Sequence, residues 1–244
     1  MAVAFIIGDY EVVRRLGSGG MSEVFLARER SSGRPVALKV VRQKALLESP
    51  NVIRRFKREI RLLARLSHPN LVRIFGHGQA QGWHYLVVEY VDGHTVTEWV
   101  AAHGPMSQEA VYRLARQIGS ALQTIHEAGI LHRDIKPSNI MAGRDGRYVL
   151  MDFGLAKSDD MSQVTAAGKA VGTPLYMSPE MLVGGKVTPA SDVYQFGLVL
   201  YFAATGHLPM PGIKSVGEMI DYMMHGSPRP FLDERPDLTA ALEQ

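Results

Sequence analysis

One stretch, His132 to Gly154, constrains this chain more than any other. It reads HRDIKPSNIMAGRDGRYVLMDFG, and it sets two carboxylates, a lysine and an asparagine in two short loops separated by strand-like residues. Asp134, Lys136 and Asn139 are close neighbours. Asp152 follows Asn139 by thirteen residues, a length that suits a hairpin bringing both ends to one place. Four polar groups meeting there suggest phosphate and metal chemistry.

The chain has 244 residues, more than a usual single domain, yet its compositional balance hardly changes from end to end, which predicts two lobes sharing one cleft. A hydrophobic fraction of 46% and a charged fraction of 21% are those of an ordinary soluble globular protein and argue against long disordered tails. Lys and Arg exceed Asp and Glu by only 27 to 24, too small a surplus to imply a nucleic-acid partner. Cysteine is absent, which excludes disulfides, thiol nucleophiles and Cys-based metal sites and is compatible with a cytoplasmic setting. The opening MAVAFIIGDY lacks a basic leader and a cleavage site and reads as the run-up to a strand. Val193 to Ala204, the most apolar segment, is far short of the roughly 18 residues of a membrane span and predicts a buried helix. The expectation is a chain with no membrane contact of its own and no internal repeat.

From Tyr10 to Lys39 the pattern is strand, glycine turn, strand, turn, strand. The turn LGSGGMSEV carries Gly17 and Gly19, with Ser22 where a G-x-G-x-x-G pattern would have a third glycine. Such a turn is by itself more often a plain hairpin turn than a backbone cradle for phosphate, although the missing Cβ would let a ligand come close. It lies between strands and GxxxxGK[ST] is absent, so a dinucleotide fingerprint and a P-loop both drop out. Lys39, at the end of VALK, shares a strand face with Ala37 and reads either as a solvated strand lysine or as a cleft residue. Val52 to Leu66 has helical apolar spacing, with a basic face that lacks interleaved aromatics and so reads as solvated. Glu59, beside the apolar seam of that helix, could reach a lysine or form only a surface pair within the helix. Leu71 to Phe75 and Trp83 to Val91 read as further strands. Helices are expected at Thr95 to His103, Ser107 to Ala128, Ala190 to Thr205 and Ser215 to His225, after a hinge at Glu89 to Gly93.

Taken together, the ordered motifs resemble a eukaryotic-type protein kinase of the bacterial Ser/Thr branch. They are GxGxxS at Gly17 to Ser22, VALK ending at Lys39, Glu59 on a helix, HRDIKPSN, DFG at 152 to 154, GTPLYMSPE at 172 to 180 and SDVYQFG at 191 to 197. The resemblance implies an α+β, bilobal fold. Its N-lobe, residues 1–91, would be an antiparallel sheet with one helix, and its C-lobe, residues 92–244, would be mainly helical and truncated at the C-terminal end.

It also implies roles for individual residues, with ATP and Mg²⁺ as cofactors. Lys39 would hold the α- and β-phosphates and pair with Glu59. Asn139 and Asp152 would bind Mg²⁺, a cation that prefers hard oxygen ligands. Asp134 would accept or orient the proton of the substrate hydroxyl, and Lys136, the Ser/Thr-type residue of this loop, would steady the γ-phosphate. Leu16, Gly17, Ser18, Gly19, Gly20, Met21, Ser22, Glu23 and Val24 would cover the nucleotide. Adenine would stack between Val24 and Ala37 on one side and Met141 on the other, with its edge on the backbone of Glu89 and Val91 and with Val88 as a small gatekeeper. His132 would pack in the core with Phe153, Leu63 and Ile74, and Asp192 would brace the loop from below. Arg133 would bind a phosphate on the following loop, at Thr165 or Ser162, while Thr173 would shape the substrate site.

One departure concerns Glu180, whose family partner is an arginine in a later helix. Only Arg229 and Arg235 follow it, neither in the expected context, so Glu180 is expected to be unpaired or compensated by solvent. The implied partners are protein substrates bearing Ser or Thr, and a second kinase copy acting in trans. No nucleic acid is implied, and the chain could be the cytosolic part of a longer, membrane-anchored protein. A pseudokinase or nucleotide-binding scaffold is the alternative, against which Lys39, Asp134 and Asp152 are all present. A small-molecule kinase would generally lack GTPLYMSPE.

Overall fold

The computed structural model describes residues 5–18, 22–41, 63–64, 66–152, 174–210, 212–213, 216–226 and 230–238. The expectations for Gly19, Gly20, Met21, Glu59 and most of its helix, Phe153, Gly154, Ser162, Thr165, Thr173 and Arg229 lie outside these residues. The backbone forms two compact units, Met1–His68 with Val72–Val91, and Pro69–Leu71 with Asp92–Gln244.

In the first unit six strands form one antiparallel sheet. They are β1 (Ile6–Ile7), β2 (Tyr10–Ser18), β3 (Ser22–Glu29), β4 (Pro35–Val41), β5 (Ile74–Ala80) and β6 (Trp83–Glu89), in the order β1-β2-β3-β4-β6-β5. Strand β4 shows why this sequence makes a sheet. Its period of two sends Val36, Leu38 and Val40 into a core with Ile7, Ala27 and Val87, and leaves Ala37 and Lys39 on the opposite face. Gln81 and Gly82 both have positive φ, 51° and 80°, as a two-residue turn between right-twisted strands requires.

The strand expected at Leu71 to Phe75 is displaced. Leu71 instead makes an isolated parallel bridge to Leu150, and the Leu150 N–H donates to the Asn70 carbonyl at 2.8 Å, so this backbone belongs to the second unit. Strand β5 begins at Ile74 and continues through Gly76 and Gly78, residues that disguise a strand in sequence. Packing against Tyr85 explains Gly78, because a Cβ there would lie 2.4 Å from the Tyr85 hydroxyl oxygen.

In the second unit β7 (Gly93–Thr95), β8 (Ile140–Gly143) and β9 (Tyr148–Leu150) form a small antiparallel sheet. Helix α1 (Val96–His103) opens with a capping box, the Thr95 hydroxyl accepting from the Glu98 N–H and the Glu98 carboxylate from the Thr95 N–H. Helix α2 (Gln108–Glu127) is capped by Ser107 and buries Val111, Leu114, Ile118, Ala121, Leu122 and Ile125, the helical stripe of an amphipathic segment. A short α3 (Pro179–Leu182) precedes α4 (Pro189–Thr205), which ends at Gly206 in the left-handed conformation. Helices α5 (Val216–His225) and α6 (Phe231–Glu234) follow, and Met177, Met181, Leu182, Leu198, Met210 and Met219 form a second core.

Glu180 is not unpaired. The Ser191 hydroxyl donates to it while accepting from the Thr188 N–H at 3.0 Å. Burial alone would raise the Glu180 carboxyl, but the Ser191 bond and the residue's own backbone N–H outweigh it and hold it below the usual range. Arg235 is engaged elsewhere, donating to the carbonyls of Met106 and Ala204 and pairing with Asp237.

Two glycines separate steric need from mere tolerance. A Cβ on Gly93 would sit 2.1 Å from the Ala142 carbonyl oxygen, a backbone atom that cannot swing away, whereas one on Gly119 within α2 would meet nothing within 4 Å among the described residues. Urea melts should therefore show Gly93→Ala destabilised by about 1–3 kcal/mol, and Gly119→Ala stabilised by up to about 1 kcal/mol from the better helix former.

Candidate active site

The polar loop of the second unit is built on a proline-started 3₁₀ turn, Pro137–Asn139, that leads straight into β8. The Asn139 amide nitrogen donates to the Asp134 carbonyl at 2.7 Å and to Asp134 Oδ2 at 3.0 Å, and Lys136 Nζ lies 3.0 Å from the same Oδ2. Asp134, Lys136 and Asn139 are thus one cluster. With Nδ2 fixed by two acceptors, the Asn139 side chain turns its oxygen the other way.

The β8–β9 hairpin pairs Ile140 with Leu150 and Met141 with Val149, and the Met151 N–H closes it on the Asn139 carbonyl at 2.8 Å. Asp152 follows directly, exposed and at φ 46°. A non-glycine residue at positive φ is strained by about 1–3 kcal/mol and persists only where its surroundings over-determine it. Arg133, at φ 65°, is the other such residue of this site.

Behind the loop the Asp192 carboxylate is wholly buried at the start of α4. It accepts from the His132 N–H at 2.8 Å, from the Arg133 N–H at 2.8 Å and from the His126 ring at 2.9 Å. Those bonds hold the strained backbone of Arg133. His132, also wholly buried, accepts at Nδ1 from the Asp134 N–H (3.3 Å) and donates from Nε2 to the Met151 carbonyl (2.8 Å). The accepting Nδ1 makes Nε2–H the tautomer present. Burial pushes this imidazole below its ordinary value and outweighs the opposing effects of the Met151 bond and the nearby carboxylates, so the ring is neutral and ties one loop to the other.

In the first unit Lys39 lies half-buried in β4, opposite Val24 and Leu86, with Ala37 buried two residues before it, opposite Leu26 and Val88. The Glu89 N–H donates to the Arg73 carbonyl at 2.8 Å, and Val91 is buried. At the end of β2, Leu16 is exposed beside a bulge, Gly17 faces Val24 and Ser18 faces Glu23. Ser22 and Glu23 open β3. Among the described residues a Cβ on Gly17 would meet nothing within 4 Å. Met141 sits in β8 of the second unit.

The protein kinase domain family matches residues 10–233. The chain belongs to the protein kinase family. Within it the similarity is to bacterial Ser/Thr protein kinases. This kinase domain is 36% identical over 223 residues to the serine/threonine-protein kinase PrkC of Bacillus subtilis, covering 91% of this chain and 34% of that one. It is 41% identical over 213 residues to PknB of Mycobacterium tuberculosis, covering 85% and 34%. The chain thus spans about a third of the length of these curated relatives. The crystal structure of the PknI kinase domain of Mycobacterium tuberculosis matches with a TM-score of 0.73 and 27% identity, covering 97–100% of this chain and 85–89% of that one when both solved forms are taken; their respective TM-scores are 0.73 and 0.72. Among the described residues no helix is long and apolar enough to cross a membrane.

Two supporting residues were not among those picked out from the sequence. His126 closes α2 on Asp192, and Gln117 accepts from both the Asn70 side chain (2.8 Å) and the Tyr148 N–H (2.7 Å). Their only signal in sequence was a polar residue close to an amphipathic helix's apolar stripe.

The neutral His132 gives a pH signature. Its folded value lies below the unfolded value of about 6.5, so below that pH the unfolded chain binds the extra proton, and stability present above it is lost as the pH falls toward the folded value. The melting temperature should drop between pH 7.5 and 5.5, and His132→Phe should flatten that slope.

Proposed function

We propose that the chain transfers the γ-phosphoryl group of ATP to Ser and Thr hydroxyls of protein substrates. The observation that carries this reading is the Asp134–Lys136–Asn139 cluster held against the strand end that delivers Asp152. Phosphoryl transfer runs through a loose transition state, so a protein has mainly to position groups and neutralise charge.

Asp134 then orients the incoming hydroxyl and takes its proton, its Oδ2 fixed by Lys136 and Asn139. Lys136 balances charge on the moving phosphoryl group. The residues present fit a divalent cation, because Asn139 Oδ1 and the Asp152 carboxylate are hard oxygen donors and the Asn139 amide is already turned to offer its oxygen. When bound, Mg²⁺–ATP supplies the phosphoryl group and shields the phosphate oxygens. Lys39 is assigned the α- and β-phosphates and Glu59 its orientation. Gly17, which no packing contact among the described residues explains, suits a backbone that a nucleotide approaches closely. Leu16, Ser18, Gly19, Gly20, Met21, Ser22, Glu23 and Val24 would cover that nucleotide. Ala37, Met141 and the backbone of Glu89 and Val91 would take the adenine.

Incubation of the chain with labelled ATP, Mg²⁺ and a generic basic protein should label that protein. Asp134→Asn and Lys39→Met should reduce transfer by about 10²–10⁴-fold. Label no stronger than in these variants would sink the reading.

Regulation by autophosphorylation is part of the same proposal, with Arg133 receiving a phosphate on Thr165 or Ser162, Thr173 shaping the substrate site, and a second copy as the kinase in trans. Mass spectrometry of active chain should find phosphate on Thr165 or Ser162, and its absence from both would remove this part alone. A cytoplasmic setting, with or without a membrane-anchored remainder, is consistent with an ATP-dependent activity.

A further inference from the structure

The backbone from His132 to Ile135 is not helical, so its four consecutive N–H groups need partners from elsewhere. His132 and Arg133 donate to Asp192, and Asp134 donates to the His132 ring. The fourth donor, on Ile135, meets Oε1 of Gln195 at 3.2 Å. Gln195 is 2% exposed and Ile135 not at all, so this bond is made inside the core.

Gln195 stands three residues after Asp192 on α4, a spacing that sets both side chains on one helix face. In sequence it is the lone amide within the apolar run VYQFGLVLYFAA. Its partner is a backbone donor, so the amide must present its oxygen to the loop.

The peptide unit concerned joins Asp134 to Ile135. Its carbonyl oxygen accepts from Asn139 Nδ2 at 2.7 Å, and its N–H donates to Gln195. The plane that carries the Asp134 side chain is thereby held on both edges, one by Asn139 and the other by α4. Without the Gln195 oxygen the plane could tilt about the bonds flanking it, carrying the Asp134 carboxylate and the Asn139 amide out of register together.

We propose that Gln195 is a positioning residue for Asp134, fixing the peptide that follows the carboxylate as Asp192 fixes the peptides that carry the His132 and Arg133 N–H groups. The role rests on the kinase reading above, because it acts through Asp134. Gln195 does not touch substrate; it sets the direction of a group that does.

The test compares kcat and the KM for ATP of the full chain with those of Gln195→Met, which keeps length but lacks the oxygen, and Gln195→Glu, which keeps an acceptor. Misplacement of a reacting group by about 1 Å can cost about 10²-fold in rate. The Met variant should therefore lose about 10-fold or more in kcat with its KM for ATP within about twofold, and the Glu variant should recover most of the loss. Three results would overturn the proposal: wild-type kcat in Gln195→Met, a loss due only to fewer active molecules by active-site titration, or a Glu variant as impaired as Met. If Gln195→Met does not fold, amide exchange in the unsubstituted chain decides. Protection at Ile135 matching that at His132 and Arg133 supports the bond, and rapid exchange there overturns it. An unsubstituted chain that transfers no phosphate overturns the kinase reading and this role with it, whereas full activity in Gln195→Met overturns this role alone.

Discussion

The helical unit depends on one buried carboxylate. Asp192 has no exposure to solvent, and an isolated charge so placed would cost several kcal/mol. Two backbone N–H groups and the His126 ring offset that cost, and the same bonds hold Arg133 at a positive φ that its side chain disfavours. The stabilisation is mutual, since the loop could not keep its shape without the carboxylate and the carboxylate could not remain buried without the loop.

From there the order passes through His132 to both halves of the site. Its neutral ring receives the Asp134 N–H on one side and donates to the Met151 carbonyl on the other. Met151 in turn closes on Asn139, whose amide returns to Asp134. Asp134, Lys136 and Asn139 are therefore members of one bonded circuit with His132 and Met151, and displacing one member strains the rest. Such preorganisation suits a reaction in which positioning outweighs covalent chemistry.

Much of this was legible in the chain. The strand alternation of PVALKVV, the amphipathic stripe of α2 and the thirteen residues from Asn139 to Asp152 all follow from local geometry, which a sequence records directly. Other features were hidden because tertiary partners decide them. Leu71 and Val72 look like a strand, but the neighbouring backbone is bonded to β9. Gly76 and Gly78 look like a turn, but Gly78 makes room for Tyr85 within β5. Glu180 was expected to lack a partner because no suitable arginine follows it. A serine eleven residues on supplies the bond instead, a contact that arises only when α4 folds back on α3.

By itself, the sequence determined which chemical groups this protein possesses and in what order: the ordered kinase motifs, the paired carboxylates and the lysines were all present as residue types at set spacings. Tertiary structure alone decided how those groups are held. Which nitrogen of His132 carries the proton, which atom Asn139 offers to a cation, and that His126 and Gln195 support the loop at all depend on burial and hydrogen-bond direction. Those are relations between residues as far apart in the chain as Ile135 and Gln195, which only packing brings together.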